Sequence, residues 1–261
     1  MKADTVKDLM EWEAPKVQEI IGNNILHPGG RMVMFGRWGT WKSMLAIHLA
    51  FCVSRGREWV SFSTSQAPVL MSQVEIPKIM LKRRLEKYTS SMGRYPENLW
   101  FLSEAYLRID KEYSFKQFET IVAVTRPKLL ILDPIYKLFG GDISDNTQVL
   151  RMLDKLDRLA DRFNLSIMVI GHVRKPNLRD DGSVPDLGHE LIGGSYIMDW
   201  VDTAVAVEQV SDVVLNLHFV KVRHAEEDIG IVQVRVSRED LHFTRTDPGG
   251  GSSAEGVQNQ G

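Results

Sequence analysis

The sequence has a single cysteine, Cys52, and no apolar run long enough to cross a membrane. One thiol excludes an intrachain disulfide, and a reducing compartment is the simpler setting. Cys52 falls in an apolar helical pattern, where a structural buried thiol is expected rather than a reactive one. An excess of charge of either sign is also lacking. The 32 Lys and Arg residues stand against 34 Asp and Glu, for a net charge of −2, which excludes a chain that coats duplex DNA by bulk charge. A channel lined by a few basic side chains stays compatible with that balance. No repeat of solenoid period is present. The opening stretch "MKADTVKDLMEWEAPKV" has charges throughout and no uninterrupted apolar segment. No secretory signal is expected from it, and the protein is read as cytoplasmic with no membrane partner.

What is there is an ordinary globular composition, 43% hydrophobic and 25% charged over 261 residues. The length allows one large domain or two small ones, and one is the reading adopted. Residues 1–30 form an amphipathic lead-in that ends at the turn signal "HPGG", 31–246 form the domain, and the Gly- and Ser-rich 247–261 form a disordered tail. The lead-in packs either on its own domain or on a neighbouring subunit.

Within the domain, apolar strand patterns alternate with helical ones. "RMVMF", "PVLMSQV", "NLWFL", "KLLILD" and "SIMVIGH" read as strands, separated by helices such as "KSMLAIHLAFCVSR", "IMLKRRLEKYTSSM", "FKQFETIVAVT" and "TQVLRMLDKLDRLADRF". That order predicts a mostly parallel α/β sheet with helices on both faces. The later pieces "TAVAVE", "VVLNLHFVKV", "IVQVRVS" and "LHFTR" predict antiparallel strands added at one edge.

Between the first strand and helix lies "GRWGTWKS", Gly36 to Ser43. It departs at one position from the phosphate-loop pattern G-x-x-x-x-G-K-[ST], with Trp41 where the last glycine belongs. In such a loop, backbone N–H groups converge on phosphates, the lysine reaches the β and γ oxygens, and the hydroxyl holds Mg²⁺. Gly36, Gly39, Thr40, Trp41, Lys42 and Ser43 are thus the candidate ATP-binding residues. Trp41 opens the helix, where a negative φ and an indole turned away from the nucleotide would make it acceptable. The bland alternative is a turn with a chance lysine and serine.

Three further groups sit at strand ends, where open α/β sheets place their ligands. Asp133 closes "LLILD" and suits the Mg²⁺ shell, though an aspartate before a proline also caps turns. Glu75, just past the second strand, suits the activation of water at a γ-phosphate. His172 suits hydrogen bonding to that phosphate. Either residue taken alone could be an ordinary exposed glutamate or a structural histidine.

With these residues in place the chain resembles the RecA-like P-loop ATPase domain of hexameric replicative helicases, of the DnaB type and the small plasmid RepA type, over about Gly29 to Arg245. Glu75 in "QVEIP" matches the family's glutamate, Asp133 its Walker B aspartate, and His172 in "GHVRK" its switch position. Small phage and plasmid relatives accept an aromatic residue before the lysine, as in "GTWKS". The resemblance also maps a K-x-R pair that serves the next subunit's nucleotide onto Lys221 and Arg223 of "FVKVRHA", where period two puts both on one strand face. A basic pair on a solvated face is the plain alternative. Before the family-like segment "GHELIGGSYIMDWVDTAV", the residues Arg174, Lys175 and Arg179 are candidates for single-stranded nucleic acid in a central channel, or else belong to a surface loop.

The resemblance implies an ATP- and Mg²⁺-dependent ring motor, a homo-oligomer of hexamer type. It would act on single-stranded DNA in replication or recombination, alongside other replication proteins. A regulatory or helicase-loading ATPase that switches assembly without translocating is the alternative. A small-metabolite kinase and a protein that binds nucleotide without turning it over are more distant readings.

Overall fold

In the computed structural model, residues 3–13, 18–93, 95–103, 106–141, 145–173 and 194–246 are described. The apolar runs become β1 (Arg31–Gly36), β2 (Val69–Gln73), β3 (Leu99–Leu102), β4 (Leu129–Asp133) and β5 (Ser166–His172). Together with β6 (Thr203–Gln209) they pair in parallel. β7 (Val214–Val222), β8 (Ile231–Val236) and β9 (Phe243–Arg245) continue the sheet in antiparallel sense beyond β6. The order across the sheet is β3-β2-β4-β5-β1-β6-β7-β8-β9. This is the expected α/β P-loop ATPase sheet with added antiparallel strands.

The pleat divides the core in two. Met32 and Met34 of β1 pack on one face, whereas Val33 and Phe35, the alternate residues, pack on the other. The first face is covered by α2 (Lys42–Arg55) and α3 (Lys78–Met92). The second is covered by α4 (Glu112–Thr125), α5 (Ile135–Leu138), α6 (Asn146–Phe163) and α7 (Gly194–Trp200). α2 is apolar nearly all round and is buried over most of its length. It stops at Gly56, whose φ of 63° lets its N–H return to the carbonyls of Cys52 and Val53. α6 buries Val149, Met152, Leu153, Leu156, Leu159 and Ala160, spaced as one helical stripe. Asp145 caps it by accepting the Thr147 and Gln148 N–H groups.

The lead-in behaves in two ways. α1 (Val6–Glu11), opened by a capping box between Thr5 and Asp8, buries none of its residues. Ile20, Ile21, Ile25 and Leu26, by contrast, are buried in the core beside α2, so this part of the lead-in packs on its own domain. The short helix α5 has no counterpart in the sequence reading, because four residues carry too little periodicity to be seen. No helix among the described residues is long and apolar enough to cross a membrane.

Candidate nucleotide site

β1 ends at Gly36 and α2 starts at Lys42, so the loop between them lies at the carboxyl edge of the parallel strands, with its end opening the helix. Gly36 must lack a side chain, since a Cβ there would stand 2.4 Å from the Val207 carbonyl oxygen of the adjacent β6. Gly39 has a φ of 82°, which glycine takes freely. Trp41 corrects the expectation of a negative φ: it is left-handed, with φ 59° and ψ 7°. It therefore keeps the backbone shape for which glycine is the usual residue, at a steric cost of about 1–2 kcal/mol for a side chain of this kind.

Lys42 is buried, and its ammonium donates to the Arg37 carbonyl at 2.5 Å and to the Thr40 hydroxyl at 3.0 Å. Thr40 in turn donates to the same Arg37 carbonyl at 2.7 Å. Burial lowers the Lys42 pKa to about 8, opposed by the carboxylates of Asp133 and Glu75. The loop thus folds around its own lysine.

Moving across the sheet from β1, the strand ends carry His172 on β5, Asp133 on β4 and Glu75 just beyond β2. The strand β5 stands between the loop strand and the Asp133 strand. Asp133 is 1% exposed, and among the described residues neither of its carboxylate oxygens has a hydrogen bond of full geometry. Burial raises its pKa to about 6, although the nearby Ser43 hydroxyl and Gln73 amide favour the charged form. A buried carboxylate left short of donors beside a serine hydroxyl is a donor set that suits a hard, oxygen-seeking cation such as Mg²⁺.

Glu75 is exposed and held from two sides. Tyr136 donates its hydroxyl to Oε1 at 3.1 Å, and the Lys137 ammonium lies 3.3 Å from the same oxygen. Below it, the Gln73 side chain accepts the N–H groups of Glu75 and Ile76 at 3.2 and 2.8 Å. The ring of His172 meets that of Tyr136 edge-on at 5.4 Å. Burial lowers the His172 pKa, aided by the charges of Lys42 and Lys137 and opposed by Glu75, so the ring faces the site as a neutral imidazole near pH 7.

The sequence reading passed over Gln73, Tyr136 and Lys137. Gln73 could have been noticed as a polar residue in an apolar strand. The other two lie on α5, directly after Asp133-Pro134.

The loop, Glu75 and His172 line one open cleft of about 790 Å³. It extends past Met44 toward α3, which contributes Met80, Arg83, Arg84 and Lys87, and toward Leu241 in the turn between β8 and β9. Trp41 lines the cleft as well, while packing on the hydrophobic core. The basic side of α3 was visible in the sequence, but its place beside the loop was not.

Lys221 and Arg223 lie elsewhere. β7 runs antiparallel to β6, so its last residues pair with the start of β6 at the edge of the sheet opposite the loop. A strand of seven residues separates the two edges by roughly 20 Å. The Lys221 ammonium donates to the Met198 carbonyl at 2.6 Å, and Arg223 donates to the Asp202 carboxylate at 2.9 Å and to the Asp199 carbonyl at 3.2 Å. Both side chains point to the end of α7, as period two requires. Arg174, Lys175 and Arg179 lie outside the described residues.

A family model described as an AAA domain matches residues 1–177. The match takes in the loop, Glu75, Asp133 and His172, and stops before Lys221 and Arg223. No curated protein matches the chain.

Proposed function

The chain belongs to the AAA domain family, whose members are P-loop ATPases, and from that premise we propose that it is an ATP-hydrolysing RecA-like ring motor, of the DnaB or plasmid RepA type, acting on single-stranded DNA. The observation that carries the reading is that Lys42, Ser43, Glu75 and His172 line one cleft, with the buried Asp133 near enough to act on the charge of Lys42 and a K-x-R pair on the far edge of the same sheet. Lys42 exchanges the Arg37 carbonyl and Thr40 hydroxyl for the β and γ phosphate oxygens. The loop N–H groups and the start of α2 complete the anion site.

Ser43 and Asp133 would hold Mg²⁺, which supplies charge neutralisation on the phosphates when bound. Glu75 accepts a proton from the attacking water; Tyr136 and Lys137 fix its carboxylate in position. His172 offers a neutral ring as hydrogen-bond partner to the γ-phosphate. Lys221 and Arg223 are too far from their own chain's loop to serve it, so a second copy is the nucleotide they can reach. An arginine so placed stabilises the transition-state charge by a large factor.

The test is ATP hydrolysis by the full chain with and without single-stranded DNA, with Lys42→Ala as control. Strand-stimulated turnover that the control lacks is the expected result. Turnover indifferent to the strand would replace the motor with a regulatory or helicase-loading ATPase. No turnover above the control would remove the hydrolytic reading altogether.

A further inference from the structure

We propose that the indole of Trp41 is a stacking surface for the nucleobase of the bound nucleotide, in an apolar arm of the cleft completed by Met44, Met80 and Leu241. The inference rests on the ATP-site reading and adds to it the residues that receive the base.

The backbone supplies the first argument. Trp41 is held left-handed at φ 59°, with no side-chain hydrogen bond capping α2. A glycine would take that conformation without steric cost, so what the position gains from tryptophan is the side chain itself. Strained backbone persists where its surroundings fix it, and such positions gather at ligand sites. Here the surroundings are the hydrophobic core, on which Trp41 packs while still lining the cleft.

The second argument is direction. The site has two arms. Glu75 and His172 line the arm where hydrolysis would occur, which fixes the γ-phosphate end of the nucleotide. The other arm runs from Met44 at the start of α2 to Met80 on α3 and Leu241 before β9. Ribose and base must leave the phosphates in that direction. A flat ring entering this arm meets thioether, leucine and indole surfaces suited to stacking, beside the basic side chains that α3 contributes to the same cleft. Arg84, half-buried on the α3 wall, lines the same cleft and brings a guanidinium to the face of the base or to the α-phosphate. Stacking does not distinguish one base from another, so the arm holds purines without selecting among them.

The test is calorimetric binding of Mg-ADP and of inorganic tripolyphosphate to the full-length chain, as wild type, Trp41→Asn and Trp41→Phe. Asparagine accepts the left-handed backbone well and removes the ring. The expected result is about a ten-fold weaker ADP affinity for Trp41→Asn, the loss of one aromatic stack, with tripolyphosphate affinity held within about two-fold and most of the ADP affinity restored in Trp41→Phe. Equal changes for both ligands, or none for ADP, would overturn the proposal, because the tryptophan would then act on the phosphate loop alone. If Trp41→Asn binds neither ligand, Met80→Ala decides: selective loss of ADP supports the base arm, and unchanged ADP refutes it. A wild type that binds neither ADP nor tripolyphosphate would instead bring down the ATP-site reading.

Discussion

Arg223 is bound to Asp202 at 2.9 Å on the edge of the sheet farthest from Lys42. Asp202 is nearly buried and also accepts the Arg31 N–H at 2.9 Å, at the start of the loop strand. The arginine is thus fastened to the base of β1, and its chain has no nucleotide there for it to meet.

In a ring, that arrangement predicts complementation between two defective proteins. Glu75→Gln alone and Arg223→Ala alone should each lose ATPase activity, the first by about 10²–10⁴-fold, the range for a general base. Mixed rings contain some interfaces in which an intact Glu75 faces an intact Arg223, so a mixture should recover measurable turnover. Mixtures that stay inactive while both proteins still assemble would refute a shared site.

Asp133 carries charge in a place that disfavours it. Its folded pKa of about 6 lies above the usual 3.8, so stability is lost as pH rises from 3.8 through 6. Near pH 7 the cost is roughly 3 kcal/mol by the difference of the two values. Asp133→Asn should therefore melt higher than wild type without Mg-nucleotide while losing hydrolysis. A lower melting temperature would show that the carboxylate stabilises the fold rather than straining it.

His48, in the middle of α2, is fully buried between Tyr88, His242 and Phe243. Among the described residues neither ring nitrogen has a hydrogen-bond partner. Burial lowers its pKa to about 3, with His242 adding to the effect and Asp240 opposing it. The unfolded chain binds a proton near 6.5 that the folded chain refuses, so this contribution is complete above about 6.5 and is lost as pH falls toward 3. His48→Leu should melt higher, by up to the ~1–3 kcal/mol of an unsatisfied buried group, and flatten the acid limb of stability. An unchanged acid limb would mean that other groups control it.

At Gly36 a methyl group would be driven against the Val207 carbonyl. Gly36→Ala should cost about 1–3 kcal/mol, as overpacking does, and lower the melting temperature by several degrees. It should weaken nucleotide binding too, because relief of the clash displaces the loop. Wild-type melting with wild-type binding would show that β1 and β6 separate freely.

Much of this was legible in the sequence because buried parallel strands are short apolar runs, and "RMVMF", "KLLILD" and "SIMVIGH" announce themselves. The carboxylates and histidine that end those runs were legible for the same reason: a polar residue closing an apolar strand marks the sheet's edge. Strand order was not, since nothing local in β5 says that it sits between β1 and β4. The left-handed Trp41 was missed because its side chain argues for one backbone and its neighbours impose another. Gln73, Tyr136 and Lys137 act through contacts between separate elements, which spacing along the chain does not encode.

The three antiparallel strands after β6 connect opposite edges of the sheet. Their turn at Leu241 closes the chain's own cleft, and their other end carries Lys221 and Arg223. In the proposed ring the meander would act as a ruler, because it joins the edge that lines one cleft to the edge that carries Lys221 and Arg223. Any tilt of these strands as one cleft fills would be felt as a displacement at the adjoining one.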